Sequence, residues 1–213
     1  MTDAELPLPA NYATALRLID EAHSHDPKQI PNPDGTTTTI PYELHYAQKM
    51  TRWLFRRHPQ ASPALQLACR AQHFRRWEIP RSSYPMTRAG YLTWRAKLKN
   101  QAAKQVAELL TSDAIQPPLD KEEIERVAGL VRKEGLGKDQ EADVQILEDA
   151  ACLVFLDDQF DEFEKREDVD DEKIVEILRK TWGKMSGEGQ ALALQMELSE
   201  RARSLIQRAL GES

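Results

Sequence analysis

The sequence predicts an all-α fold, a single compact multi-helix bundle over residues 1–213. Three observations predict it. Apolar residues recur at spacings of three and four along almost the whole chain. Strand signals are confined to Thr36-Thr37-Thr38-Thr39-Ile40, behind a Pro33-Asp34-Gly35 turn. Prolines bound the periodic segments of the first half, and Gly135, Gly137, Gly183, Gly187 and Gly189 punctuate those of the second. A chain of 213 residues with 40% hydrophobic and 30% charged residues has enough apolar surface for a core and enough charge for solvated outer faces.

The elements follow in order. A first helix over about Asn11–Ser24 places Tyr12, Ala15, Leu16, Ile19 and Ala22 on one face. Residues 1–10 and 26–40 read as irregular, and a loop as long as the second is often functional. A second helix covers about Pro41–Arg57, with Pro41 suited to a first turn. A third starts at Ser62-Pro63, an N-cap followed by proline, and ends before Pro80. The segment Pro80–Thr87 is a loop, and a long helix follows over about Arg88–Leu110. Pro117-Pro118 marks the best sub-boundary. Helices are expected beyond it near Asp120–Glu134, Gln140–Glu164, Asp170–Met185 and Glu188–Leu210. The longest apolar run, Ala150–Leu156, is too short to span a bilayer, and Met1–Pro9 lacks the apolar run of a signal peptide. Cys69 and Cys152 sit in apolar helical patterns and read as reduced core residues, so a cytoplasmic location without membrane attachment is expected.

Charge is distributed unevenly. Between Lys49 and Ala107 lie thirteen basic residues and one acid, Glu78, giving +12. The whole chain carries −6, so the remainder carries −18. The basic block also holds three of the four tryptophans, Trp53, Trp77 and Trp94. A guanidinium offers two parallel bonds to an oxyanion, so the block reads as an anion-binding region. Within it, Arg81–Arg95 is dense in oxyanion-holding groups: arginine forks, hydroxyls and a helix start near Thr87. Arg88, Tyr91 and Arg95 share one helix face, and Arg76, Arg81 and Tyr84 lie close in sequence. The competing reading is a set of arginines paired with the acidic half. Aromatics interleaved with arginines also suit nucleic acid, but a confined block in an acidic chain favours a small anion over a long groove.

A local conflict stands at Glu148-Asp149. The helix from Val144 to Leu156 is apolar all round except for these two carboxylates and Gln145. Asp149 shares a face with Ile146, Cys152, Leu153 and Leu156; Glu148 shares one with Val144, Ala151, Cys152 and Phe155. A buried carboxylate needs a metal, an arginine or a proton. An ion pair with an arginine of the basic block and a catalytic or metal site are both open readings. His45 on the second helix and His73 on the third, expected to pack as a hairpin, join Asp149 to make a candidate N/O ligand set for zinc, manganese or iron. Neither HExxH nor cysteine-based zinc spacing is present. His23 and His25 read as helix-end residues.

Several segments carry a family resemblance: Glu43-Leu44-His45-Tyr46-Ala47, Arg70-Ala71-Gln72-His73, Arg76-Trp77-Glu78-Ile79-Pro80-Arg81, Tyr84-Pro85-Met86, Gly90-Tyr91-Leu92-Thr93-Trp94-Arg95 and Leu147-Glu148-Asp149-Ala150-Ala151-Cys152-Leu153. They resemble an uncharacterised all-α domain family of fungi and bacteria, sometimes labelled glutamyl-tRNA synthetase-like. No nucleotide-binding βα signature accompanies that label. More distantly, two histidines on successive helices and a late aspartate look like the HD metal-dependent phosphohydrolases. His45 stands for that family's first ligand and Asp149 for its last, while Gln72-His73 replaces the central His-Asp pair.

The resemblance implies an HD-like, divalent-metal-dependent hydrolase of a small phosphorylated or otherwise anionic substrate. His45, His73 and Asp149 would hold the metal. Glu148 and His73 would be the catalytic groups, and Arg76, Arg81, Tyr84, Arg88, Tyr91 and Arg95 would bind substrate. The alternatives are a non-catalytic anion-, nucleotide- or tRNA-binding module and an HD-like iron oxygenase. Oligomeric state is not legible.

Overall fold

A computed structural model describes residues 8–32, 35–135, 141–159 and 171–211. It is mostly helical. The α-helices are α1 (Ala10–His23), α2 (Tyr42–Arg57), α3 (Pro63–Arg70), α4 (Arg88–Leu110), α5 (Lys121–Arg132), α6 (Ala142–Val154), α7 (Asp171–Trp182), α8 (Gly187–Leu194) and α9 (Glu200–Leu210). Strands β1 (Gln29–Pro31) and β2 (Thr39–Pro41) form an antiparallel ribbon with Ile30 opposite Ile40. No helix among the described residues is long and apolar enough to cross a membrane.

Side-chain caps fix several helix starts. The Ser62 hydroxyl accepts from Leu65 N–H ahead of Pro63, and Thr87 accepts from Gly90 N–H. Asp120 and Glu123 form a reciprocal capping box, while Ser186 and Ser199 cap α8 and α9. In the centre, α2 packs against α6, α3 against α5 and α4 along α5. Met50, Leu54, Leu65, Leu67, Leu147 and Leu153 are fully buried there. Cys69 and Cys152 are free and buried.

Three elements depart from the periodicity. The third helix stops at Arg70, because His73 and Arg75 take left-handed backbone conformations (φ 63° and 49°) that turn the chain sharply. A single 3₁₀ turn, Arg76–Glu78, follows. The sixth helix widens into a π-helical turn over Phe155–Gln159, and the expected continuation through residues 160–164 lies outside the described residues. The expected last helix is divided into α8 and α9, with Ser199 restarting it.

Candidate anion-binding site

The two acids of α6 are both buried, and they face different surroundings. Asp149 is fully buried and accepts four hydrogen bonds. Its Oδ2 receives Arg57 Nε at 2.8 Å and Ser186 Oγ at 2.6 Å; its Oδ1 receives Ser186 N–H at 2.8 Å and Gln145 Nε2 at 3.0 Å. One guanidinium and three neutral donors therefore hold the charge. The clasp ties the end of α2 and the start of α8 to the middle of α6. Gly189 is the point of close approach, since a Cβ there would stand 2.7 Å from Asp149 Cγ.

Glu148 turns the other way, into a cavity of about 320 Å³. It is paired with Lys133, and Lys184 Nζ lies 3.9 Å from its Oε1. Burial works against its charge, yet the Lys133 ammonium, its hydrogen bond and Lys184 hold the carboxyl below its ordinary value. Five cations line this cavity: Arg76, Arg95, Lys99, Lys133 and Lys184. Among the described residues, Glu148 is the one acid in that lining. Tyr91, Leu98, Phe155 and Ile177 give it an apolar side.

His73 also lines the cavity. Its ring stacks on Tyr46, with centroids 4.1 Å apart and planes 13° from parallel. Arg76 Nη1 donates to its Nε2 at 2.9 Å, and Glu43 Oε2 lies 3.7 Å from its Nδ1. Burial, with the charges of Arg76, Arg95 and Lys133, pushes the imidazole well below its ordinary value, so it is neutral. Burial raises Glu43 to about 8, so at neutral pH this acid too is largely uncharged. Glu43 therefore does little to offset the positive lining.

The segment after the cavity wall is folded on itself. Arg81 donates to the carbonyls of Tyr84, Pro85 and Thr87, at 3.0, 2.8 and 3.4 Å. A Cβ at Gly90 would overlap the Pro85 carbonyl, so the loop lies flat on the first turn of α4. Trp94 Nε1 donates to Ile79 O at 2.9 Å, and the Arg76 guanidinium lies 4.9 Å from the Trp94 ring centroid. Of the six residues expected to bind substrate, Arg76, Tyr91 and Arg95 reach the cavity. Arg81 clamps the loop, Tyr84 is half-buried and offers it a carbonyl, and Arg88 is exposed.

The three residues expected to share a metal have separate partners. His45 Nε2 donates to Asp158 Oδ1 at 2.9 Å on the π-helical turn. Lys49 pairs with the same carboxylate at 3.1 Å and with Asp157 at 3.2 Å. Burial opposes the Asp158 charge, but the His45 bond and Lys49 outweigh it and keep the acid low. His73 faces an arginine, and the two oxygens of Asp149 are each engaged by two donors. Among the described residues no three His, Cys, Asp or Glu side chains converge as a metal-ligand set. A divalent cation is repelled by a cluster of guanidinium and ammonium groups, so the cavity lining does not fit a metal.

Some functional candidates were not read from the sequence. Lys99 lies four residues past Arg95, so continuing the Arg88–Tyr91–Arg95 face would have found it. Lys133 and Lys184 carry no such local signal. They follow the ends of α5 and α7, in the acidic part of the chain, and only tertiary packing brings them to the cavity.

Residues 13–206 match a family described as a domain of unknown function, DUF4202. No curated protein and no solved structure gives a significant match.

Proposed function

The chain belongs to this uncharacterised family, and on the geometry above we propose that it binds a small, multiply charged anion, of the size of a phosphorylated metabolite, in the Glu148 cavity. The observation that carries the reading is the surplus of positive charge. Among the described residues five cations border one partly open cavity, one buried acid offsets them, and the nearby Glu43 and His73 are largely neutral. Like charges crowded in a partly desolvated cavity repel one another, and a bound anion relieves that repulsion. Arg76 and Arg95 supply forks for oxyanions, while Tyr91 and Phe155 give an organic portion an apolar surface.

From the HD-like resemblance this reading keeps the anionic substrate class and leaves out the metal, because His45, His73 and Asp149 each have a separate partner: Asp158, Arg76 and Arg57. A cavity of about 320 Å³ favours a small molecule over nucleic acid, which tracks long grooves. Titration calorimetry with pyrophosphate at low ionic strength tests the proposal. Arg95→Ala should weaken binding by about tenfold or more, a loss of roughly 1.4 kcal/mol, whereas Arg88→Ala should leave it nearly unchanged. Equal effects of the two variants, or no binding by the wild-type chain, would overturn it.

A further inference from the structure

Lys99 stands apart from the other lysines of the cavity. Lys133 and Lys184 both approach Glu148. Lys99 makes no hydrogen bond or ion pair among the described residues, although it lines the same space and is half-buried. It lies well inside α4, one turn beyond Arg95, so its backbone is held rigidly. Its neighbours on that helix differ: Lys97 is exposed, and Lys104 lies 3.7 Å from Glu108.

We propose that Lys99 is an amine nucleophile that captures the carbonyl carbon of an anionic aldehyde or ketone bound in this cavity, forming an imine. The proposal rests on the anion-binding reading and extends it to a substrate class. Arg76 and Arg95 hold the phosphate or carboxylate, which leaves the lysine free for the carbonyl. An ammonium has no lone pair, so the reaction needs the neutral amine. Burial first, and then the charges of Lys133 and Arg95, lower the proton affinity of Lys99 from its ordinary value of 10.5. In the reaction the nitrogen lone pair adds to the carbonyl carbon and the C=O π electrons move to oxygen. Both amine hydrogens leave with that oxygen as water, and a C=N bond replaces C=O. Nothing is oxidised or reduced, and no further reactant is required.

The experiment uses the full chain and pyridoxal 5′-phosphate as a phosphorylated aldehyde probe, with sodium cyanoborohydride to trap the imine and peptide mass mapping to locate it. Lys99 should be labelled about tenfold faster than Lys97. The rate should saturate with probe concentration and fall when pyrophosphate competes. Unphosphorylated pyridoxal should label Lys99 more slowly. Lys99→Arg should lose the fast adduct, whereas Lys97→Arg, at an exposed position outside the cavity lining, should leave it in place. If pyrophosphate binds but Lys99 is labelled no faster than Lys97, the inference fails and the anion-binding reading stands. If pyrophosphate does not bind at all, both fail.

Discussion

Residues 148 and 149 are neighbours on one helix, yet they belong to opposite kinds of site. Asp149 sits in a clasp where one guanidinium and three neutral donors match one carboxylate. Glu148 sits in a cavity where five cations outnumber it. The clasp is electrostatically complete and needs nothing from outside. Among the described residues the cavity keeps a surplus of positive charge, which the proposed anion would offset. Burial alone therefore does not mark a functional acid; the balance of charge around it does.

The largest test of that contrast is Arg57→Met. It leaves Asp149 buried without a cation, and unfolding free energy should fall by about 4 kcal/mol in urea titration. The remaining folded protein should bind pyrophosphate normally, because Arg57 is not part of the cavity lining. A variant that keeps its stability would contradict the clasp.

Glu43 tests the cavity by pH. Its carboxyl is ordinarily near 4.5 and is raised to about 8 in the fold. Between those values the folded state holds a proton that the unfolded state has released. Stability from this group is thus full below about pH 4.5 and is lost as pH rises through about 8. The loss should be about 3 kcal/mol, once the charged carboxylate relaxes toward water. Glu43→Gln should flatten that limb of the urea-derived stability profile. It should also reduce the weakening of pyrophosphate binding above neutral pH, where the ionised acid would sit beside Arg76. An unchanged slope would show that Glu43 titrates normally.

Gly189→Ala strikes the clasp sterically. The added carbon meets Asp149 Cγ at 2.7 Å, so about 2 kcal/mol of stability should be lost, again with anion binding intact. Glu148→Gln should act in the opposite sense on binding. Removing the one acid of the cavity lining should tighten pyrophosphate by about tenfold, with the largest gain at low salt. If neutralising Glu148 weakens the anion instead, the cavity is not limited by excess positive charge.

Much of this contrast was legible in the sequence. Helix positions followed from apolar spacing and from caps such as Ser62-Pro63 and Thr87, and α4 has the bounds the pattern predicts. The apolar helix called for at least one of Glu148 and Asp149 to be buried, and both are; an arginine of the basic block was one of the readings open for a partner. What could not be read was which acid meets which cation. Periodicity placed His73 on a helix, whereas its left-handed backbone ends the segment and turns the ring onto Tyr46. The π-helical turn presents Asp157 and Asp158 to Trp53, His45 and Lys49, and nothing in local spacing announces that turn. Lys133 and Lys184 enter the cavity from helix ends far along the chain, a purely tertiary event.

The central claim is that an oxyanion occupies the cavity beside Glu148 and not the arginine-rich loop next to it. Anomalous diffraction from crystals soaked in tungstate locates such an ion directly. The account predicts a peak between Arg76 and Arg95, inside the cavity. A map in which tungstate gathers only around Arg81 and Arg88, with nothing between Arg76 and Arg95, would contradict it.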